Sequence, residues 1–297
     1  MATRARPLQA KKKAKPKPKK TPVWKEVEER NTRKLRTRAR ERRFRRIAVV
    51  YDIDGPRVRL GTLWFFVELI ALLGGVYGLG LLYVSTAGVA AMQTARSVRK
   101  AGAKANRVVA GAGAAAIAAA GLVTTGMVGI AILGLVGVAA FVAWSDVVNG
   151  RRRGGSPIVD AAATVRCAVF VGFACACLLT TARFELGSAV ALIFVVAAYE
   201  TGDYIVGSGA SNPYEGPVAG ATAIVVVTFA ITAIGVKPLA FPTSFVLGAA
   251  ACILCPIGQL VASLILPSVT SPASALRRLD SLLVLAPAWA LATGWLI

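Results

Sequence analysis

The sequence predicts an all-α, polytopic helical membrane protein of about eight or nine transmembrane helices, preceded by a basic cytoplasmic N-terminal tail. Three observations predict it. Of 297 residues, 56% are hydrophobic, and the mean hydropathy is +0.64. Lys and Arg outnumber Asp and Glu by 35 to 14, yet residues 1 to 60 hold 22 of the former and 6 of the latter, so this stretch carries +16 of the net +21. Beyond it, apolar runs of roughly 20 residues recur, the length needed to cross a hydrocarbon core. The chain therefore divides into a partly disordered tail over 1–56 and a multi-span membrane domain over 57–297.

Within the tail, AKKKAKPKPKK at 10–20 has no apolar face and cannot repay the entropy of ordering. The stretch 22–46 has helix-forming composition, with Glu26, Glu28 and Glu29 near its start and arginines at its end, an order that suits the helix dipole. Its sparse apolar residues form no broad stripe, which fits a helix lying on an anionic leaflet better than a packed bundle member. Nucleic acid is the competing partner for so many arginines, but the segment has no recognisable nucleic-acid fold and only Trp24 and Phe44 as aromatics. No short apolar core followed by a small-residue cleavage site marks a signal peptide.

Hydropathy then places candidate spans at 62–74, 76–92, 107–124, 126–145, 161–182, 186–200, 217–236, 244–266 and 281–297. Gly74-Gly75 reads either as a tight hairpin or as a kink in one long helix. With the hairpin, Arg96, Arg99, Lys100, Lys104 and Arg107 share a side with the tail, and Arg151, Arg152 and Arg153 return to it two spans later. That satisfies the positive-inside rule and implies a plasma-membrane protein with a cytoplasmic N-terminus. The same alternation brings 200–216 and 267–280 to the cytoplasmic face.

Those two segments hold the candidate chemistry. The first, from Tyr199 to Gly216, gathers Glu200, Asp203 and Glu215 with Gly207, Gly209, Ser211 and Asn212 between two apolar runs. Carboxylates at membrane depth are costly, so a functional site competes here with an ordinary polar loop. The second holds Arg277, Arg278, Asp280 and Ser281. As plain structure, the arginines anchor at the headgroups and Asp280 with Ser281 starts the last helix. As a site, an aspartate beside two arginines suits a divalent cation and its phosphate, because Mg²⁺ takes oxygen ligands through one or two carboxylates.

The run Ala198-Tyr199-Glu200-Thr201-Gly202-Asp203-Tyr204-Ile205-Val206-Gly207, followed by Tyr214-Glu215-Gly216 and Gly220, resembles the phosphatidate cytidylyltransferase (CDP-diacylglycerol synthase) family. That family reads roughly Asp-x-Gly-Ala-Tyr-x-x-Gly and then Trp-Glu-Gly-x-x-Gly-Gly. Arg278-Leu279-Asp280-Ser281-Leu282 resembles its closing Asp-Arg-x-Asp-Ser-Leu signature, and Gly258-Gln259-Leu260 with Ser263 lies where it has Gly-Asp-Leu-x-x-Ser. Glu200 stands in place of the family's first aspartate, Asp203 in place of alanine and Gln259 in place of an aspartate, and the family's two lysines after the glycine-rich turn are absent. The resemblance implies transfer of CMP from CTP to phosphatidic acid, giving CDP-diacylglycerol and pyrophosphate, with Mg²⁺ as cofactor. It implies Asp280 with Glu200 or Asp203 as catalytic and metal residues. Arg278, Arg277, Ser281, Gly207, Gly209, Ser211, Asn212 and Glu215 would line the nucleotide and phosphate.

Two other classes stay open: a catalytically silent relative that scaffolds lipid synthesis, and a transporter with a broken-helix site at 202–213. A homodimer is also left open. Glu68 in the first span and Arg166 in the fifth each read equally as a structural or a cavity residue. Arg183 and Glu185 read as an interfacial pair. Cys252-x-x-Cys255 has neither a second pair nor a histidine beside it, so all five cysteines read as small packing residues.

Overall fold

The computed structural model describes residues 56–294 apart from short breaks at 150–155, 209–211, 213, 237–238, 269–270 and 272. The expectations for the tail, for Gly209 and Ser211, and for Arg151, Arg152, Arg153 and Lys237 lie outside the described residues. Every regular element among the described residues is a helix: α1 Pro56–Leu73, α2 Gly75–Lys100, α3 Arg107–Ala120, α4 Thr125–Val148, α5 Pro157–Phe184, α6 Leu186–Gly207, α7 Glu215–Ile234, α8 Thr243–Ile265, α9 Ser274–Arg277 and α10 Leu282–Ala292.

Six of these, α2 and α4 to α8, are long and apolar enough to cross a membrane. The apolar part of α1, Leu63–Leu73, together with α3 and α10 makes three shorter apolar helices. At 1.5 Å per residue α3 is about 21 Å long and α10 about 17 Å, both short of a full hydrocarbon core.

Gly74 and Gly75 form a hairpin and not a kink. Gly75 has φ +60°, a left-handed conformation glycine adopts without strain, and across the turn Tyr83 of α2 reaches Glu68 of α1. Two helices outrun their hydropathy limits. The α2 helix continues past 92 to Lys100 and is stopped by Gly102 at φ +105°, while α6 continues past 200 to Gly207. Polar residues lower hydropathy without breaking a helix, and at membrane depth the backbone groups are best satisfied by staying helical. The acidic island is therefore mostly a helix end, not a loop.

The core centres on α5, which packs against α2, α3, α4, α6 and α10. Its inner face is built from Cys167, Val171, Cys175, Leu178 and Leu179, all buried. Asn106 caps α3 by accepting from the amides of Val108 and Val109 at 3.0 and 3.2 Å, and its own amide donates to Thr164 Oγ1 on α5 at 2.9 Å. By contrast, α4 keeps little of its surface inside the protein and exposes Leu133, Phe141 and Trp144, as a lipid-facing helix should.

The helix pair α6–α7 approaches through glycines. A Cβ at Gly202 would lie 2.8 Å from the Ala219 carbonyl oxygen, and one at Gly220 would lie 2.6 Å from the Tyr199 ring. Small residues of this kind let helix backbones approach closely in lipid. The antiparallel order puts the ends of α2, α6 and α8 and the starts of α3, α5, α7 and α10 at one end of the bundle. Ala275 of α9 donates its amide to Gln93 of α2 at 3.0 Å and ties the C-terminal segment there.

Candidate functional site

Glu200 and Asp203 sit three residues apart on α6, so one helix face presents both carboxylates. Glu200 lies seven residues before the helix end at Gly207, about 10 Å inside it. From α8, Gln259 Nε2 donates to Asp203 Oδ2 at 3.1 Å, and Gln259 Oε1 accepts from the Tyr199 hydroxyl at 3.4 Å. Asp203 and Gln259 are both buried. Gln259 thus acts as an amide clamp on Asp203.

Asp280 reaches the same neighbourhood from the turn between α9 and α10. Its backbone carbonyl abuts Gly258, where any side chain would collide with it. Ser281 donates its amide to Asp280 Oδ1 at 2.8 Å, with its hydroxyl at 3.4 Å from the same oxygen. Arg277 lies 3.9 Å from Asp280 Oδ2 and donates to Ser263 Oγ at 3.1 Å. In this turn, outside the long helices, burial pushes the Asp280 carboxyl up to about 7, while Arg277 and the Ser281 amide pull it down.

Glu200 joins the two halves. Its carboxylate lies within electrostatic reach of Asp280, Glu68, Arg278 and Asp203, and Oε1 is buried with no hydrogen-bond partner. Arg278 extends toward α1, with Nη1 3.2 Å from the position a Cβ would take on Gly61. Four carboxylates (Glu68, Glu200, Asp203 and Asp280) against two guanidiniums (Arg277 and Arg278) leave a formal surplus of two negative charges when all are ionised.

That surplus and the orphaned Glu200 oxygen fit a divalent cation held by one or two carboxylates with substrate oxygens completing its shell. Among the described residues no three acidic or cysteine side chains gather as a ready-made ligand set. Of these four carboxylates Glu200 keeps a buried oxygen without a hydrogen-bond partner, while Asp203 Oδ2 accepts from Gln259 and Asp280 Oδ1 from Ser281.

The remaining expected residues have local duties. Gly207 is buried in the last turn of α6, a helix end that offers carbonyls in preference to amides. Asn212 Nδ2 donates to Glu215 Oε1 at 3.0 Å beside the start of α7, and Ser281 precedes α10. Arg183 hydrogen-bonds to the Val123 carbonyl and covers the Phe184 ring at 4.5 Å. All five cysteines are free. Arg166 is exposed. An apolar groove of about 300 Å³ between α2 and α3, bordered by Leu81, Met92 and Gly111, shares no residue with the polar cluster.

Sequence reading left Glu68 undecided and missed Tyr83, whose hydroxyl donates to Glu68 Oε1 at 2.7 Å. The signal was a carboxylate in a span with no sequence-adjacent partner. Comparison of the chain with protein-family models, with curated proteins and with solved structures finds no match.

Proposed function

We propose that the chain is a divergent phosphatidate cytidylyltransferase of the CDP-diacylglycerol synthase family, transferring CMP from CTP to phosphatidic acid in phospholipid biosynthesis. The observation that carries this reading is the convergence of Glu200 and Arg278-Asp280, two motif segments nearly eighty residues apart, on one buried acidic and basic cluster. The cluster lies about 10 Å from a helix end. Exposed Arg96, Arg99, Lys100 and Lys104 crowd the same end, which suits a cytoplasmic face in the plasma membrane. On this reading the three shorter apolar helices join the six long ones as nine membrane segments.

In the reaction, a phosphate oxygen of phosphatidic acid attacks the α-phosphorus of CTP, a new P–O bond forms, and the bond to the β-phosphate breaks to release pyrophosphate. A phosphate is already an anionic nucleophile, so the absence of histidine from the chain costs little. What the protein must supply is charge neutralisation and alignment. Arg278 and Arg277 meet phosphate oxygens. Ser281 holds the Asp280 carboxylate through its amide, and Gln259 holds Asp203. Glu200 and Asp280 would hold Mg²⁺, which when bound neutralises charge on the departing pyrophosphate.

A second reading has its own support. Gln259 occupies Asp203 with an amide, which removes a carboxylate oxygen from ligand duty and suits a silent relative that scaffolds lipid synthesis. The transporter reading loses ground because α6 runs unbroken through Gly207. The test is incorporation of radiolabelled CTP into lipid by the purified full chain with Mg²⁺ and phosphatidic acid, against phosphatidylglycerol as a control acceptor. Label appearing with phosphatidic acid alone supports the enzyme, and no label with either supports the scaffold.

A further inference from the structure

The first helix lies outside the motifs that carry the family resemblance, yet it forms a wall beside Arg278. Gly61 and Glu68 stand seven residues apart, two helical turns, and so share one face of α1. Gly61 leaves room for the guanidinium, since a Cβ there would lie 3.2 Å from Nη1. Glu68 is 7% exposed and lies within electrostatic reach of Arg278. The Tyr83 hydroxyl grips Glu68 Oε1 at 2.7 Å. Glu200 is also within electrostatic reach of Arg278.

An arginine serving only as a headgroup anchor would turn outward, as the exposed Arg96 and Arg99 do. Arg278 is half-buried and turned toward α1 instead. A guanidinium is planar and permanently charged, so a fixed carboxylate within electrostatic reach biases its direction as well as balancing its charge.

We propose that Glu68, braced by Tyr83, is a positioning residue that seats the Arg278 guanidinium against α1, so that binding of the substrate phosphates depends on the first helix. The phosphate-binding part rests on the cytidylyltransferase reading; the seat itself does not.

Thermal unfolding of the full chain in detergent is measured for wild type, Glu68→Gln, Arg278→Gln and the double variant. Each single change lowers Tm, and the double variant falls no further than the worse single one. Additive losses overturn the proposal whether or not the protein uses CTP. Turnover then separates seating from mere stability. Glu68→Gln raises the KM for CTP about tenfold, and Tyr83→Phe, which keeps both charges, raises it about threefold. Ser188→Ala, which removes the partner of Trp289 Nε1 at 3.0 Å, lowers Tm without changing KM. A KM unchanged in Glu68→Gln overturns the positioning role. Wild-type protein that turns over no CTP overturns the cytidylyltransferase reading, while the Tm cycle still decides the Glu68–Arg278 seat. If Glu68→Gln does not fold, Tyr83→Phe carries the same comparison.

Discussion

Gln259 holds Asp203: an amide on α8 donates to a buried carboxylate on α6 at 3.1 Å, and Tyr199 closes the chain from one turn back. The bond joins two largely apolar helices, and both of its partners are buried from water. Gln259→Leu leaves the Asp203 oxygen short of a donor and costs about 1–3 kcal/mol, read as a lower Tm in detergent. Gln259→Glu, which faces a carboxylate with a carboxylate, costs at least as much at neutral pH and recovers as the pH falls.

The α6–α7 contact depends on the absence of one Cβ. Gly220→Ala drives a methyl group into the Tyr199 ring, and overpacking of this kind costs about 1–3 kcal/mol. Gly134→Ala on α4, where nothing lies within 4 Å, is neutral or stabilising by up to about 1 kcal/mol, because alanine is the better helix former. Paired thermal melts of the two variants check the contrast.

Glu200 carries the buried oxygen without a hydrogen-bond partner. Glu200→Gln keeps the shape and removes the charge offered to a cation, so the Mg²⁺ concentration for half-maximal turnover rises about tenfold or more. A Mg²⁺ titration of the lipid-labelling reaction measures it. An unchanged titration moves the metal away from α6.

Much of the architecture is readable without coordinates, and particular residues show where reading stops. Among the described residues, six of the apolar runs fall on helices long and apolar enough to cross a membrane and three on shorter apolar helices, because hydropathy reports burial in lipid and protein alike. The end of α6 is misjudged since Glu200 to Gly207 is polar, and polarity looks like a loop when only hydropathy is weighed. Glu200 and Asp280 are recognisable as chemistry because carboxylates near apolar runs are expensive. Glu68, within electrostatic reach of Glu200, is ambiguous until α1 folds back on α2, since Tyr83 and Arg278, which explain it, lie 15 and 210 residues away. Periodicity reports a residue's own face and is silent about which distant helix covers it. Gln259 shows the same limit: a glutamine within an apolar run is visible in the sequence, but its use as a clamp on Asp203 needs the packing of α8 on α6.

Asp280 is the residue on which the cytidylyltransferase reading turns, because it joins the C-terminal motif to Glu200 and is held by Ser281 and Arg277. Radiolabelled CTP incorporation by wild type and by Asp280→Asn, both with phosphatidic acid and Mg²⁺ and both verified as folded by thermal melting, tests it most directly. The account predicts labelled lipid from the wild type and a loss of about 100-fold or more in the variant. Equal turnover by the two proteins, or none by the wild type, would contradict it.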